Sequence, residues 1–253
     1  MSEMFSLVGK HVLITGGAQG LGNMMAERLL GAGARVVITS RTLEVSQEAA
    51  RALQACGDCI GLQADLSTAE GAVALADQIK ALGGPLHVLV NNAGKTWGAP
   101  LESFPDKAWP DLMAINVQTP FTLIRELLPM LRASASPEDP ARIINMGSLV
   151  GHVVEMRPSF SYAASKAAIH HLTRVLAAHL AASNITVNAI APGYFSTRMT
   201  ASLPLDEMPE KIPLGRLGSP DDIAGACIYL ASRAGAYLTG IILPVDGGMS
   251  GCR

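Results

Sequence analysis

Short, unbroken apolar runs alternate with helix-forming stretches along the chain. His11–Thr15, Arg35–Thr39, Cys59–Gln63, Leu86–Val90, Arg142–Met146, Thr186–Ala191 and Ile241–Val245 read as seven strands. Between them, Met24–Leu30, Leu43–Ala55, Thr68–Leu82, Trp109–Leu131, Tyr162–Ala182 and Asp221–Ala231 read as helices. The last opens with Pro220 and two aspartates, where the helix dipole favours them. The strands are continuously apolar rather than alternating, the pattern of a sheet covered by helices on both faces. Strand–helix alternation at this spacing predicts right-handed parallel crossovers and a doubly wound α/β sheet of seven strands. No linker, repeat or low-complexity tract divides residues 1–253, so one domain is expected.

Composition narrows the function. Hydrophobic residues make up 49% of the chain and charged residues 16%, which excludes disorder. The formal net charge of −2, without a basic tail, argues against nucleic acid as a partner. The apolar runs are strand-sized, far short of the ~20 residues that span a bilayer, and no membrane partner is expected. The first ten residues carry Glu3 and no long apolar stretch, so no signal peptide is expected there. Cys56, Cys59, Cys227 and Cys252 are too few for a disulfide framework. The CxxC at Cys56–Cys59 has no second pair and precedes a strand, so it reads as coincidence, and the expected compartment is the cytoplasm.

Chemistry begins at the first turn. Gly16, Gly20 and Gly22 in Thr15-Gly16-Gly17-Ala18-Gln19-Gly20-Leu21-Gly22 allow a tight strand-to-helix turn whose helix N-terminus can hold a pyrophosphate, with Gln19 and Leu21 beside it. An NAD site places a carboxylate at the end of the second strand, where this chain has Ser40 and Arg41. Arg41 is either a solvated arginine or the fork that pairs with a 2′-phosphate. The pair favours NADP(H), with NAD(H) as the alternative. Asp65 is placed to accept from an adenine amino group, with Leu66 against the ring. Asn91-Asn92-Ala93-Gly94 follows the fourth strand, where Asn91 would brace its neighbour and the loop would meet cofactor.

Tyr162 and Lys166 lie four residues apart in a helical stretch and so share a face. A lysine beside a phenol is expected to lower its pKa and let it act as acid or base. Ser148, at the end of the fifth strand, can donate to a substrate oxygen. Asn116 falls inside the long Trp109–Leu131 helix, where an asparagine competes with regular hydrogen bonding. YxxxK arises by chance in many helices, and a serine after a strand is often only a cap. All four in this order, behind a dinucleotide turn, point to carbonyl chemistry.

Together these motifs resemble the short-chain dehydrogenase/reductase family over residues 7 to 250, with Pro192-Gly193-Tyr194-Phe195-Ser196-Thr197 similar to its PGxxxT segment. The resemblance implies a single-domain Rossmann fold with Tyr162 as proton donor and Ser148 orienting the carbonyl. Lys166 would bind the nicotinamide ribose, and the Asn116 main-chain carbonyl would hold a relay water. Phe195 backbone and the Thr197 hydroxyl would meet the carboxamide, and no metal is needed. It also implies transfer from the B face of the nicotinamide and a homotetramer or homodimer. Within the family, Asn91–Gly94 with Trp97-Gly98, the Ser134–Pro140 insert and Ala236…Thr239-Gly240 are similar to NADPH-dependent 3-oxoacyl (β-ketoacyl) reductases of the rhamnolipid-synthesis type.

Residues 199–213 are expected to cover substrate, with Leu203, Leu205 and Met208 as apolar contacts. Trp97, Leu149, Val150, Met156, Phe160 and Tyr194 are candidates for the rest, each equally able to be core. A small hydrophobic carbonyl or alcohol is the expected substrate: a 3-oxoacyl thioester first, a steroid or other bulky ketone second, a polyol last. A non-catalytic nicotinamide-binding sensor is the alternative from another class. His152 is a weak candidate for a substrate contact. His170 and His171 read as helix surface or subunit interface. Arg132, Arg157, Arg198 and Lys211 are the basic residues available to an acyl carrier.

Overall fold

Seven parallel strands form one sheet in the order β3-β2-β1-β4-β5-β6-β7. They are β1 (His11–Ile14), β2 (Arg35–Ser40), β3 (Cys59–Gln63), β4 (Val88–Asn91), β5 (Ala141–Met146), β6 (Ile185–Pro192) and β7 (Ile242–Val245). The helices are α1 (Gly20–Gly31), α2 (Leu43–Leu53), α3 (Ala69–Leu82), α4 (Ala108–Met113), α5 (Thr119–Ala133), α6 (Phe160–Leu180) and α7 (Pro220–Ala231). This computed structural model describes residues 3–155, 157–201 and 205–252.

The expected Rossmann-type architecture is present, and its register follows from the apolar runs. Val12 of β1 lies between Val36 of β2 and Val88 of β4. Every residue of β5 and β6 is buried, as continuous apolar strands under two helical layers require. Residues of α1, α2 and α7 pack on one face and those of α3, α5 and α6 on the other. Sequence-local chemistry sets the helix starts. Thr68 Oγ1 accepts from Gly71 N at 3.2 Å at the head of α3. Ser219 and Asp222 close a reciprocal capping box on α7.

One expected element is corrected. The apolar stretch Trp109–Leu131 is not one helix, because a π turn at Ala114–Gln118 separates α4 from α5. Two residues explain the break. The Asn116 side chain leaves the helix to bond the Lys95 backbone. Pro120, lacking an N–H, sits in the first turn of α5, where none is needed.

At the opposite end of the sheet from the strand C-termini, Arg142 is 1% exposed. It lies 3.1 Å from Asp139 and donates to Ser232 O at 3.0 Å. Asp139 also pairs with Lys10, so the Ser134–Pro140 segment anchors the first strand, the fifth strand and the end of α7. Beside this cluster, His87 Nδ1 accepts the His11 backbone N–H at 3.0 Å.

That bond requires a neutral imidazole, and burial brings His87 down to about 4. The unfolded chain takes up this proton near pH 6.5, the folded chain only near pH 4. Between those values the unfolded state binds more protons, so stability falls as pH drops from 6.5 to 4. Urea unfolding at stepped pH should show this loss. It should be shallower in His87→Gln, whose side-chain oxygen accepts without titrating.

Candidate active site

The site grows from one stitch across the middle of the sheet. The chain leaves β1 toward β2 on one side and β4 toward β5 on the other, which opens a crevice beyond their C-terminal ends. Thr15 Oγ1 accepts the backbone amides of Asn92 at 2.9 Å and Ala93 at 3.0 Å. In return Asn92 Nδ2 donates to Thr15 O at 2.8 Å and Gly16 O at 3.1 Å. Asn91 Nδ2 donates to Asn145 Oδ1 at 2.9 Å, the expected brace to β5.

The glycine turn fits around this stitch. Gly16 has φ +64°, where a side chain is strained, and its amide donates to Thr39 Oγ1 at 3.1 Å. A Cβ on Gly22 would stand 2.5 Å from Asn92 Nδ2 and 2.6 Å from Gly16 O. The bare backbone leaves a cleft of about 770 Å³ running from the end of β2 to the start of α6.

Most of the expected cofactor residues line that cleft: Gly16, Gln19, Gly20, Leu21, Ser40, Arg41, Leu66, Asn92, Ala93, Gly94, Tyr162, Lys166, Pro192, Gly193, Phe195 and Thr197. Gly22 lies behind the turn. Asp65 stands exposed beside Leu66, its carboxyl held below the usual carboxylate range by hydrogen bonds from Ser67. Ser40 Oγ bonds the backbone of Thr42 as donor at 2.9 Å and acceptor at 3.1 Å, while Gln63 holds Arg41 O. These bonds shape the loop that presents Arg41, and β2 ends without a carboxylate. A glycine floor, a helix N-terminus and a guanidinium at one end fit a phosphorylated dinucleotide.

The four expected catalytic residues are brought to the other end. Ser148, Tyr162 and Lys166 line the cleft, and Asn116 lies directly behind it, 3% exposed. Lys166 Nζ donates to Met146 O at 2.7 Å and stands 5.6 Å from the Tyr162 ring centre. Burial brings its ammonium down to about 8. Asn116 Oδ1 accepts Lys95 N at 3.0 Å, while Nδ2 donates to Lys95 O and to Ser165 Oγ. Its side chain thereby ties the loop after β4 to α6.

The expected lowering of the Tyr162 pKa by Lys166 is corrected. Burial raises it, a nearby Ser148 hydroxyl pulls the other way, and the Glu155 charge adds to the rise. The Lys166 ammonium is turned onto Met146 O, so it does not offset the desolvation.

The substrate side is more polar than its sequence suggests. Trp97, Leu149, Val150 and Tyr194 line it as expected, but Lys95, Glu155, Arg157 and Arg198 join them. Tyr194 donates to Glu155 and accepts from Arg157, whose guanidinium lies 4.8 Å over the tyrosine ring. Phe160 stacks edge-on against Phe104, and Met208 is buried against Leu149 and Tyr194. Met156, Leu203 and the Leu205 side chain lie outside the described residues. His152 is exposed and is not a lining residue. His171 is exposed as expected, but His170 is 3% exposed and packs beneath the Ser148 turn. Arg132 closes α5 at the far end of the sheet, away from Arg157 and Arg198.

Thr15, Thr39, Lys95 and Glu155 were missed from the sequence, as was the bonding that joins Glu155 to Tyr194 and Arg157. Thr15 and Thr39 had a usable cue, a hydroxyl at the C-terminal end of each of two adjacent strands. Among the described residues no group of three His, Cys, Asp or Glu side chains is arranged for a metal ion, and no helix is long and apolar enough to cross a membrane. Cys59 is buried, its thiol pushed up to about 11, while Cys56 is exposed; both are free.

Known proteins share this arrangement. Residues 16–250 match the family described as Enoyl-(Acyl carrier protein) reductase. The chain is 47% identical to the rhamnolipids biosynthesis 3-oxoacyl-[acyl-carrier-protein] reductase of Pseudomonas aeruginosa, over 98% of this chain and 99% of that protein. It is 36% identical to the 5-keto-D-gluconate 5-reductase of Escherichia coli, over 98% of both. The solved Pseudomonas aeruginosa RhlG/NADP active-site complex superposes with a TM-score of 0.96 at 47% identity, covering 99% of this chain and 100% of that one. By its fold, by the glycine-floored cleft and by these relatives, the chain belongs to the short-chain dehydrogenase/reductase family and is an NAD(P)H-dependent oxidoreductase acting on a carbonyl substrate.

Proposed function

We propose that this protein uses NADPH to reduce the carbonyl of a 3-oxoacyl thioester in the cytoplasm. The observation that carries the reading is the meeting of Ser148, Tyr162 and Lys166 at the end of a cleft whose other end carries Arg41 in place of a carboxylate. The similarity to the Pseudomonas aeruginosa 3-oxoacyl reductase supports the choice of thioester.

NADPH, when bound, supplies the hydride. Gly16, Gln19, Gly20 and Leu21 would hold its pyrophosphate, Ser40 and Arg41 its 2′-phosphate, and Asp65 and Leu66 its adenine. Asn92, Ala93 and Gly94 would contact the cofactor beside them, and Pro192, Gly193, Phe195 and Thr197 would hold its carboxamide. Ser148 donates to the carbonyl oxygen and holds it beside the phenol. Tyr162 gives its proton as charge develops on that oxygen. Lys166, held on Met146 O at 2.7 Å, would reach the nicotinamide ribose, and the Asn116 main-chain carbonyl would hold a relay water. Residues 199–213 cover the substrate. The exposed Phe121 and Val175, on α5 and α6, support pairing of these helices in a homodimer or homotetramer.

A second reading has its own observation. The Glu155–Tyr194–Arg157 cluster offers hydrogen bonds to hydroxyl groups, and the Escherichia coli relative is a keto-gluconate reductase. Trp97, Leu149 and Val150 favour an acyl chain, each buried methylene adding ~0.8 kcal/mol.

Tyr162→Phe should lower kcat by roughly 10²- to 10⁴-fold while NADPH binding, followed by fluorescence titration, stays within twofold. Equal rates in both proteins would remove the phenol from the chemistry. Arg41→Ala should weaken NADPH about tenfold to a hundredfold, the worth of a charge-assisted hydrogen bond, and leave NADH unchanged. Tighter NADH binding by the native protein would overturn the cofactor assignment. NADPH oxidation should be fast with a 3-oxoacyl thioester, slow with a steroid ketone or a ketose, and absent with a 2-enoyl thioester of equal length. A faster ketose would select the second reading, and enoyl turnover would refute carbonyl reduction.

A further inference from the structure

We propose that His170 is a positioning residue that sets Ser148 against Tyr162; this rests on Ser148 being the group that holds the substrate oxygen. Tyr162, Lys166 and His170 follow one another at four-residue steps on α6 and so rise along one helix face. Each meets the segment that leaves β5. Ser148 lies beside the Tyr162 phenol, and Lys166 donates to Met146 O. His170 Nε2 faces the Ser148 backbone amide at 3.4 Å and accepts from it.

The segment is shaped around this imidazole. A Cβ on Gly147 would stand 2.1 Å from His170 Nε2, and one on Gly151 would stand 2.5 Å from His170 Cε1. The ring therefore occupies the space that side chains on both flanks of Ser148 would need, and it is 3% exposed. A bulky ring between two glycines limits how far the Ser148 backbone can settle toward α6, and the Nε2 lone pair stops it moving away. An error of about 1 Å in such a placement costs up to a hundredfold in rate.

The geometry also fixes the proton. Nε2 accepts, so the imidazole is neutral and carries its hydrogen on Nδ1. The groups facing it are His152, whose ring centre is 5.3 Å away, Lys166 and Arg174, and their charges add to burial in bringing it down to about 4. No carboxylate appears among the groups that act on it. Protonation would set an N–H against the Ser148 N–H, and the clamp would open.

The test compares His170→Leu, His170→Gln and His170→Asn with Ser148→Ala in steady-state ketone reduction, with NADPH affinity and thermal midpoint measured on each. The Gln oxygen reaches the position of Nε2, and the Asn oxygen falls short. Leu and Asn should lose at least tenfold in kcat with NADPH affinity within twofold, while Gln stays within threefold of the native rate. ¹⁵N NMR of the native protein should show the Nδ1–H tautomer down to pH 5. Should Leu fail to fold, the Gln and Asn pair decides alone. Native rates in Leu or Asn beside an inactive Ser148→Ala would overturn the role of His170 by itself. A fully active Ser148→Ala would remove the role of Ser148 and this proposal with it. Gln as slow as Asn, or an Nε2–H tautomer, would also overturn it.

Discussion

One hydroxyl and one amide at the switch point carry the geometry of everything around them. Thr15 ends β1 just where the ladder to β4 must open, leaving the Ala93 amide and the carbonyls of Thr15 and Gly16 to side-chain partners, while the Asn92 amide also keeps Val90 O at 3.0 Å. Thr15 Oγ1 takes both amides, and Asn92 Nδ2 serves both carbonyls. Three backbone groups thus depend on two side chains, where each left buried and unpaired would cost about 1–3 kcal/mol. The arrangement lets two strands part without loosening. The glycine turn rests on one side of the gap and the Asn92–Gly94 loop on the other. Because Asn92 fills the space behind the turn, Gly22 has no room for a side chain.

The reacting end depends on a different economy, a single helix face laid along a single strand end. Tyr162, Lys166, His170 and Thr173 recur on α6 at intervals of four, four and three residues. They meet Ser148, Met146 O, Ser148 N and Asn145 respectively. Asn145 in turn holds Asn91, which reaches the loop beside the switch point. The two ends of the cleft are therefore joined by side-chain hydrogen bonds running across β5 and β4, and not only by the sheet itself. The π turn supplies the remaining tie, since Asn116 fixes Lys95 and Ser165 together.

The strands were legible in the sequence because each is an unbroken apolar run, and the catalytic residues because their spacing is itself a statement about faces. What the sequence hid depends on contacts between distant segments. Apolar periodicity continues through residues 114–118, so the break between α4 and α5 is invisible until Asn116 finds Lys95. His170 beside His171 reads as a polar helix surface; its burial needs two glycines about twenty residues earlier. Glu155 carries no motif and Arg157 reads only as a basic residue for an acyl carrier, yet Tyr194 gathers them into the cleft wall. The Tyr162 pKa was read from its neighbour alone, and desolvation, which raises it, has no local sequence signature.

The account stands on hydride reaching a carbonyl carbon while the Tyr162 phenol protonates the oxygen. Its most direct test is a single-turnover reduction of a 3-oxoacyl thioester using NADPH deuterated at the transferring position, run in H₂O and in D₂O. The account predicts deuterium on the carbinol carbon of the product, slowing by the cofactor deuterium, and a further slowing in D₂O that disappears in Tyr162→Phe. A product without deuterium at that carbon, or a D₂O effect that persists unchanged without the phenol, would contradict it.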